Sequence, residues 1–379
     1  MRAGEWRSGV FVLLLASAFF HFKLRNSSET LGFLRNAADQ LGGDLLAGGP
    51  HLDEVSSNDR NVVRSPLLQA LRKTLSPAIL LLNKHALKIT LNFLCNLKQF
   101  EGALDRVVVF AFDYQSKLVI RGSFPNVQVV FFRFPQLEDT FAAGDGRYQL
   151  FQYFRARMSA FLTSKVDSFW MIQADTIWRR NLFEVIDEKK VQEDLLFDSE
   201  GRSGLLADMI AGGYFFVKSS ERTGRFFSNI ADTLLDYYAT DNNLMARQCH
   251  LQMFGTRCAF IPYNLMANWR YTPLDDEPEP PFLQMDGGEN SEDKFQQMDR
   301  QGALFVDPST LSEVAWPAKC LEEASRNSRP APAEKRKSKA NWAIRISHAI
   351  FEGLCWIVPG LKTLCVAYLF PFYAYYLAV

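Results

Sequence analysis

Residues 168–181 read Ser168-Phe-Trp-Met-Ile-Gln-Ala-Asp-Thr-Ile-Trp-Arg-Arg-Asn181, and they give the clearest indication of the fold. Its first part, 168–173, is a continuous apolar run of strand length, and Asp175 follows it closely. A strand that is apolar on both faces is typical of a parallel sheet covered by helices on both sides. Ligands bind outside the carboxyl ends of the strands in such sheets. The sequence places Asp175 at that position.

The preceding segment alternates apolar runs of strand length with amphipathic helices. Three more runs predict strands: 79–82, 106–112 and 127–134. Two segments have apolar residues at helical spacings of three and four: 87–100 and 148–164. The pattern predicts an α/β domain with a mostly parallel sheet. Asn83 and Asp113 also follow predicted strands, so we expect them to lie at the same edge as Asp175.

Composition excludes several classes of protein. The chain has 379 residues, with 42 basic and 42 acidic side chains, so it lacks the basic excess of a nucleic-acid-binding protein. It contains no His-Glu-x-x-His pair and no Cys-x-x-Cys pair, which removes the commonest zinc sites. Two of its six cysteines, Cys249 and Cys258, could pair in an oxidising lumen; alternatively they are buried thiols.

Both ends of the chain suggest contact with a membrane. Arg2 and Arg7 precede an apolar run over 10–20, which is a signal for entry into the secretory pathway, as an uncleaved anchor or a cleaved peptide. A buried core helix is the third interpretation. The almost wholly apolar tail has the length of a span, but its break at Pro359 and Gly360 suits a re-entrant or interfacial element better. The predicted segments are a signal over 1–24, a stem over 25–76, a catalytic domain over 77–325, a Pro-rich basic linker over 326–341 and a hydrophobic tail over 342–379.

The stretch around Asp175 resembles the metal-binding element of the nucleotide-diphospho-sugar transferase domain family, whose members have the GT-A fold. That family usually has Asp-x-Asp, then two residues and Trp, then often Asn-Pro. Here Gln173 replaces the first acid, Asp175 is the second, Trp178 follows, and Asn181 precedes leucine rather than proline. The resemblance implies that Asp175 ligates a divalent cation that neutralises a diphosphate leaving group. Alternatively, Asp175 only caps the turn at Thr176.

Other segments match the family in the same order along the chain. Residues 79–83 and 90–97 resemble its opening strand and helix, which implies that Asn83 contacts the nucleotide. Asp113 is placed like the acid that binds a ribose, or it is a strand-end turn residue. Gly212 and Gly213 resemble the small residues that line the donor and acceptor sugars, where backbone approaches ligand closely; the alternative is a tight turn.

Four more residues take roles from the resemblance. Asp241 stands where the family has an acid at a helix start facing the site, and an N-cap is the equal alternative. Asp286 and Lys294 lie in a late segment that supplies metal and diphosphate contacts, although Lys294 could be a solvated surface charge. The family often has a basic residue on the helix before the metal strand. We choose Arg157 over Arg155, because Arg155 adjoins the apolar face.

The resemblance covers about 77–308 and implies a Rossmann-like GT-A domain. The predicted activity is metal-dependent transfer of a sugar, with retained configuration, from a nucleotide-diphospho-sugar donor to a glycan or glycoprotein acceptor. The predicted cofactor is Mn²⁺, with Asp175 and Asp286 as its ligands. The predicted catalytic residues are Asp175 and Asp241, and Gln173 orients a water or a ribose hydroxyl. The implied location is the Golgi or endoplasmic reticulum membrane, with the domain in the lumen. The alternative is an inactive relative that binds glycan or protein, which Gln173 favours.

Overall fold

The structure is a computed structural model that describes residues 36, 70–71, 74–132, 134–141, 146–237, 239–268, 270–271, 278–285, 291–311 and 317–322. The predicted signal segment, nearly all of the stem, and the linker and tail lie outside these residues. Within the described ranges, no helix combines the length and the apolar character that crossing a bilayer requires.

The described chain alternates strands and helices as the sequence predicts. The strands are β1 (Ala78–Leu82), β2 (Val107–Ala111), β3 (Gln128–Phe131), β4 (Ser168–Ile172), β5 (Thr176–Trp178), β6 (Leu195–Ser199), β7 (Ile210–Lys218), β8 (Cys258–Phe260), β9 (Met266–Ala267) and β10 (Phe282–Gln284). The helices are α1 (Leu87–Leu97), α2 (Tyr114–Ser123), α3 (Gly146–Leu162), α4 (Leu182–Val185), α5 (Glu221–Asp236), α6 (Asp241–His250) and α7 (Ser291–Arg300). Each of the strands and helices predicted before residue 174 is present, with ends that differ by a few residues.

A seven-stranded sheet organises the domain, in the order β3-β2-β1-β4-β7-β6-β8. Strands β3, β2, β1 and β4 are parallel, β7 is antiparallel to both of its neighbours, and β8 is parallel to β6. The sheet is therefore mixed but mostly parallel, which confirms the predicted α/β class and the mostly parallel sheet. Since β6 runs in the direction of β4, the carboxyl ends of β1, β2, β4 and β6 share one edge with the start of β7.

Both faces of the sheet are buried. Along β1, Ile79 packs into one apolar cluster with Phe154 of α3, whereas Leu80 packs into a second with Leu91 of α1. All four of these side chains are at most 1% exposed. Fully burying such a side chain stabilises a fold by about 1.5–3 kcal/mol. Because both faces of the sheet are covered, its strands are apolar without interruption in the sequence.

A small sheet, β5-β10-β9, extends the site edge. Strand β10 pairs antiparallel with β5, which brings Gln284 opposite Thr176, one residue after Asp175. Trp178 anchors β5, because its ring packs edge-on against Phe93, at 5.8 Å between centroids. The tryptophan three residues after Asp175 therefore fixes the small sheet to α1.

The described part of the chain contains two disulfides. Cys249 pairs with Cys258, as the sequence allowed, and joins the end of α6 to β8. Cys95 of α1 pairs with Cys320, which lies 225 residues later, and this second pair was not predicted. Disulfides are typical of proteins that fold in an oxidising compartment, so they suggest a location in the secretory pathway.

The two disulfides are expected to contribute unequally to stability. A disulfide restricts the unfolded chain more when it closes a longer loop, and the chain-entropy model gives about 5 kcal/mol for the loop of Cys95–Cys320 but about 3 kcal/mol for that of Cys249–Cys258. The double variant Cys95→Ala/Cys320→Ala should therefore lower the free energy of unfolding more than Cys249→Ala/Cys258→Ala. Urea unfolding of both variants measures the difference. Equal losses, or the opposite order, would contradict the expectation.

Candidate active site

Asp175 lies between β4 and β5 at the carboxyl edge of the large sheet, with only 7% of its surface exposed. Its backbone carbonyl accepts a hydrogen bond from the Met285 amide at 2.6 Å. Its Oδ2 accepts a hydrogen bond from Lys294 Nζ, also at 2.6 Å. The structure thus places Lys294, from the first turn of α7, beside Asp175. Its side chain, 23% exposed, is not a freely solvated surface charge.

Two glutamine amides lie next to this ion pair. The Gln173 amide is 2.8 Å from Gln284 Nε2. The orientation of the Gln173 amide follows from its neighbours, an acceptor on one side and a donor on the other. In that orientation its nitrogen donates to Asp175 Oδ1 at 3.3 Å, and its oxygen accepts from Arg155 Nη1 at 3.0 Å. Gln173 therefore connects Asp175 to a second charged residue of the site without adding charge.

The side chains around Asp175 suit a hard cation only in part. Asp175 and the amides of Gln173 and Gln284 offer oxygen atoms, which Mg²⁺ and Mn²⁺ prefer. The described residues contain no group of three His, Cys, Asp or Glu side chains that could hold a metal ion. Asp286, the second predicted ligand, lies outside the described residues. The described donors thus fit a cation that shares its coordination with a diphosphate, but not one held by protein alone.

Arg155 and Asp241 form a buried bidentate ion pair beneath the glutamines. Arg155 Nε and Nη2 each donate to an Asp241 oxygen at 2.6 Å, and Nη1 donates to the Gly212 carbonyl at 2.7 Å. The two side chains are only 7% and 3% exposed. Burial alone would lower the pKa of Arg155, but the charge of Asp241 and its hydrogen bonds outweigh this effect and raise it. The guanidinium therefore stays charged.

The structure places Arg155, rather than the predicted Arg157, beside Asp241 and Gly212, and the substrate contact of Arg157 stays a prediction. Arg157 is 35% exposed, donates to the Tyr153 hydroxyl and lies 3.8 Å from Asp232 of α5. Successive helical residues are rotated by about 100°, so residues two apart point to nearly opposite sides. Arg155 points into the domain because Asp241 there pairs with its charge. The spacing of apolar residues along the helix does not indicate such a partner.

Asp241 is the first residue of α6, and the N-cap position is occupied by Thr240 instead. Both carboxylate oxygens of Asp241 bind Arg155, and Oδ1 also accepts a hydrogen bond from the Asn242 amide at 2.9 Å. The adjacent Asn242 side chain donates to the carbonyls of Ile210 and Ala211 at the start of β7. The beginning of α6 is therefore attached to β7 at the site edge.

Gly212 and Gly213 belong to a bulge of β7. Gly212 has φ +84°, a conformation that glycine adopts without strain. A Cβ at Gly212 would approach the Asn242 Cβ to 2.5 Å, and one at Gly213 would approach Gln284 Nε2 to 1.9 Å. Gly212 thus requires glycine, whereas a Cβ at Gly213 would displace the end of the Gln284 side chain. The predicted sugar-lining role of these two glycines stays a prediction.

Asp198, near the end of β6, is a site-edge residue that sequence reasoning missed. It is 1% exposed and accepts hydrogen bonds from the amides of Gly212, Gly213 and Tyr214 at 2.8–2.9 Å. Burial raises its pKa to about 7, although the three amide donors oppose that shift. An isolated acidic residue in an apolar strand was the only sequence signal for it.

The raised pKa of Asp198 predicts a pH-dependent stability. An acid whose pKa is higher in the folded state stabilises the fold below its unfolded pKa, and this contribution is lost as pH rises through the folded pKa. The charges facing it are Arg155 and Glu200, and Tyr214 lies beside it. The free energy of unfolding of the wild type, relative to Asp198→Asn, should fall between about pH 4 and about pH 7. Urea unfolding of both proteins across this range tests it, and a pH-independent difference would contradict it.

Asn83 and Asp113 lie at the same edge, where their side chains bind their own loops. The Asn83 amide donates to the carbonyls of Leu137 and Asp139 and accepts from two backbone amides of its own turn. A contact of this side chain with a nucleotide would require one of these bonds to break. Asp113 caps α2 by accepting from the amide and hydroxyl of Ser116, at 2.8 and 2.7 Å. Its predicted ribose contact remains a prediction.

The family model for nucleotide-diphospho-sugar transferases matches residues 102–298, slightly more than half of the chain. This protein belongs to that family, the one that the stretch around Asp175 resembles. It is therefore a member of a nucleotide-sugar glycosyltransferase family, and a nucleotide-sugar donor is implied. No curated protein sequence matches the chain.

Three solved structures of glycosyltransferases are similar to this chain. The apo WbbM bifunctional glycosyltransferase has 12% identity and a TM-score of 0.41, over 59% of this chain and 49% of that one. Apo mouse xyloside xylosyltransferase 1 has 10% identity and a TM-score of 0.39, over 56% of this chain and 98% of that one. The glycosyltransferase GlyE from Streptococcus pneumoniae TIGR4 has 12% identity and a TM-score of 0.38, over 57% of this chain and 56% of that one. The chain thus spans about half the length of WbbM and of GlyE. At such TM-scores these likenesses carry no part of the family assignment.

Proposed function

We propose that this protein transfers a sugar from a nucleotide-diphospho-sugar to a glycan or glycoprotein in the lumen of the secretory pathway, with the help of a divalent cation. The observation that carries the proposal is the convergence at one sheet edge of Asp175, Lys294, the Arg155–Asp241 pair and the glycine bulge of β7. A carboxylate beside a partly exposed ammonium suits a ligand that carries a diphosphate, and the buried Arg155–Asp241 pair and the glycine bulge hold the surrounding backbone in place.

Asp175 would hold the cation, with Asp286 as its second protein ligand and Mn²⁺ as the ion. When bound, such an ion neutralises the negative charge that develops on the departing diphosphate. Lys294 binds one oxygen of Asp175 at 2.6 Å, so its ammonium is within a short side-chain movement of any diphosphate at that carboxylate. The lysine would then bind a phosphate oxygen and add to the neutralisation.

Transfer with retention of configuration is the reaction that these contacts favour. Each aspartate that we place at this edge is already bound: Asp113 by Ser116, Asp175 by Lys294, Asp198 by three amides and Asp241 by Arg155. None is placed as an unencumbered nucleophile. We therefore favour a front-face reaction, in which the leaving phosphate accepts the proton of the acceptor hydroxyl and the protein supplies position and charge. Asp241 acts in it by fixing Arg155.

The location in the Golgi or endoplasmic reticulum membrane rests on the apolar run of 10–20, and the two disulfides are consistent with a secretory compartment. Protease protection in microsomes tests the lumenal orientation. Digestion of the domain without detergent would contradict it.

Nucleotide binding gives the most direct test of the function. A ligand that binds only the folded protein raises its melting temperature. We expect UDP or GDP to raise the melting temperature more with Mn²⁺ than without it. Mn²⁺ alone should raise it little, because the described protein oxygens are too few to hold the ion by themselves. Hydrolysis of a UDP- or GDP-sugar by the purified domain should follow the same nucleotide preference. Absence of any nucleotide effect would exclude the proposal.

An inactive relative is the second candidate, and two observations favour it. Gln173 stands where the family usually has an acid, and the ammonium of Lys294 already binds Asp175. Such a protein would bind the donor or a glycan without turnover. Nucleotide stabilisation together with no hydrolysis and no transfer would identify this case. The variant Gln173→Asp, which restores the first acid of the motif, should then tighten the binding of Mn²⁺ with nucleotide if both side chains share the ion.

A further inference from the structure

The bulge in β7 has no partner strand for its amides. β6 and β7 pair at Phe197 with Phe215 and again at Ser199 with Ile210. Between these pairs β6 contributes one residue, Asp198, whereas β7 contributes the four residues 211–214. Ladder hydrogen bonds cannot form across such a mismatch. Buried amides left without acceptors are costly, so the bulge requires acceptors from elsewhere.

The Asp198 carboxylate supplies those acceptors. Its Oδ1 accepts from Gly212, and its Oδ2 accepts from both Gly213 and Tyr214. One side chain therefore binds three consecutive amides, which fixes the orientation of the peptide planes between them. Asparagine, which has the same size, offers one acceptor oxygen instead of two.

Each of these three residues contacts the candidate active site. The Gly212 carbonyl accepts from Arg155 at 2.7 Å, and the Gly213 backbone lies beneath the Gln284 side chain. The Tyr214 hydroxyl donates to the Gln173 carbonyl at 3.0 Å, two residues before Asp175. The segment that Asp198 binds thus connects the ion pair of α3 and α6 to the strand that carries Asp175.

We propose that Asp198 is a positioning residue for sugar transfer, which sets the backbone of Gly212, Gly213 and Tyr214 and, through it, the placement of Arg155 and Gln173. The proposal rests on the proposed function, since it concerns the same site. Asp198 itself is buried below the bulge and acts only through these contacts. Displacement of a catalytic arrangement by about 1 Å can lower a rate by about a hundredfold.

The test compares Asp198→Asn with a matched control on the same strand. Asp194 precedes the amino end of β6, at the opposite edge of the sheet, where it accepts hydrogen bonds from Arg222 and from the Arg257 amide. Asp194→Asn also removes a charge from a largely buried side chain, but it lies away from the site. We expect Asp198→Asn to lower kcat on the order of ten- to a hundredfold in folded protein, and Asp194→Asn to leave kcat unchanged.

A double-mutant cycle separates positioning from a general loss of stability. Gly212→Ala disturbs the same bulge, because the added Cβ would meet Asn242 and φ is positive. If Asp198 acts through the bulge, the double variant should lose little more activity than either single variant, whereas independent effects would multiply. Multiplying effects, or a wild-type kcat in Asp198→Asn, would overturn the proposal.

Two further measurements keep the result unambiguous. If Asp198→Asn does not fold, hydrogen exchange of the wild type tests the bulge: the amides of Gly212, Gly213 and Tyr214 should be protected before any donor is added. Exchange as fast as that of an open loop would overturn the proposal. A wild type that neither hydrolyses nor transfers from any of a set of UDP- and GDP-sugars with Mn²⁺ would instead exclude the proposed function, and the exchange experiment would still report on the bulge.

Discussion

Asp175→Asn is expected to lower sugar transfer on the order of a hundredfold or more, as happens when a principal electrostatic group of an active site is removed. The substitution keeps the size of the side chain but removes the charge that a cation and Lys294 both require. The dependence of nucleotide binding on Mn²⁺ should disappear in the same variant. Initial rates with a nucleotide-sugar donor, and melting temperatures with and without Mn²⁺, measure the two effects.

Stability should change little in this variant. Lys294 is 23% exposed, so water can solvate its ammonium when Asp175 loses its charge, and we expect a change of about 1 kcal/mol. Asp307→Asn is a suitable control, because Asp307 caps a short helical turn and asparagine caps equally well. A folded Asp175→Asn protein with wild-type turnover and wild-type Mn²⁺ dependence would make Asp175 a turn residue, and the assigned site would be wrong.

Arg155→Met is expected to lower the free energy of unfolding by about 3–5 kcal/mol, because it leaves the Asp241 carboxylate buried without a counter-charge. Methionine replaces most of the aliphatic volume, so the loss reflects the charge rather than a cavity. Arg157→Met is the matched control on the same helix. Its guanidinium lies 3.8 Å from an exposed aspartate, so its loss should be within about 1 kcal/mol. Urea unfolding measures both.

The second half of the ion pair gives an internal check on that interpretation. Arg155→Met/Asp241→Asn removes the unpaired charge as well, so the double variant should be more stable than Arg155→Met alone. Activity should be low in both variants, because the contact of Arg155 with the Gly212 carbonyl is lost in each. Equal losses from Arg155→Met and Arg157→Met would show that the buried pair does not stabilise the fold.

The secondary structure before residue 174 could be predicted because its causes are local. Strands β1, β2, β3 and β4 are apolar on both faces, and that pattern is visible in any short window of the sequence. The position of Asp175 at a strand end follows from the same pattern. Cys249 and Cys258 lie close enough along the chain for their pairing to be considered, and the family resemblance followed from the order of short motifs.

The contacts of the site depend on the tertiary structure, because their partners are distant along the chain. Lys294 is 119 residues from Asp175, and Arg155 is 86 residues from Asp241. Periodicity marked helix α3 as having a polar face, yet α5 and the sheet cover so much of it that Gln149, Gln152 and Arg155 are buried. Only a partner on another element decides which of two nearby arginines can be buried.

The α/β class, the strand that presents Asp175 and the transferase family could all be predicted from the sequence, since they depend on local pattern and on motif order. The tertiary structure decided that Arg155 rather than Arg157 faces the site, that Cys95 pairs with Cys320, and that Asp198 binds the bulge of β7. The physical reason is the same in each case. The burial of a charge, a thiol or an amide is determined by the group that satisfies it, and here that group comes from another part of the chain.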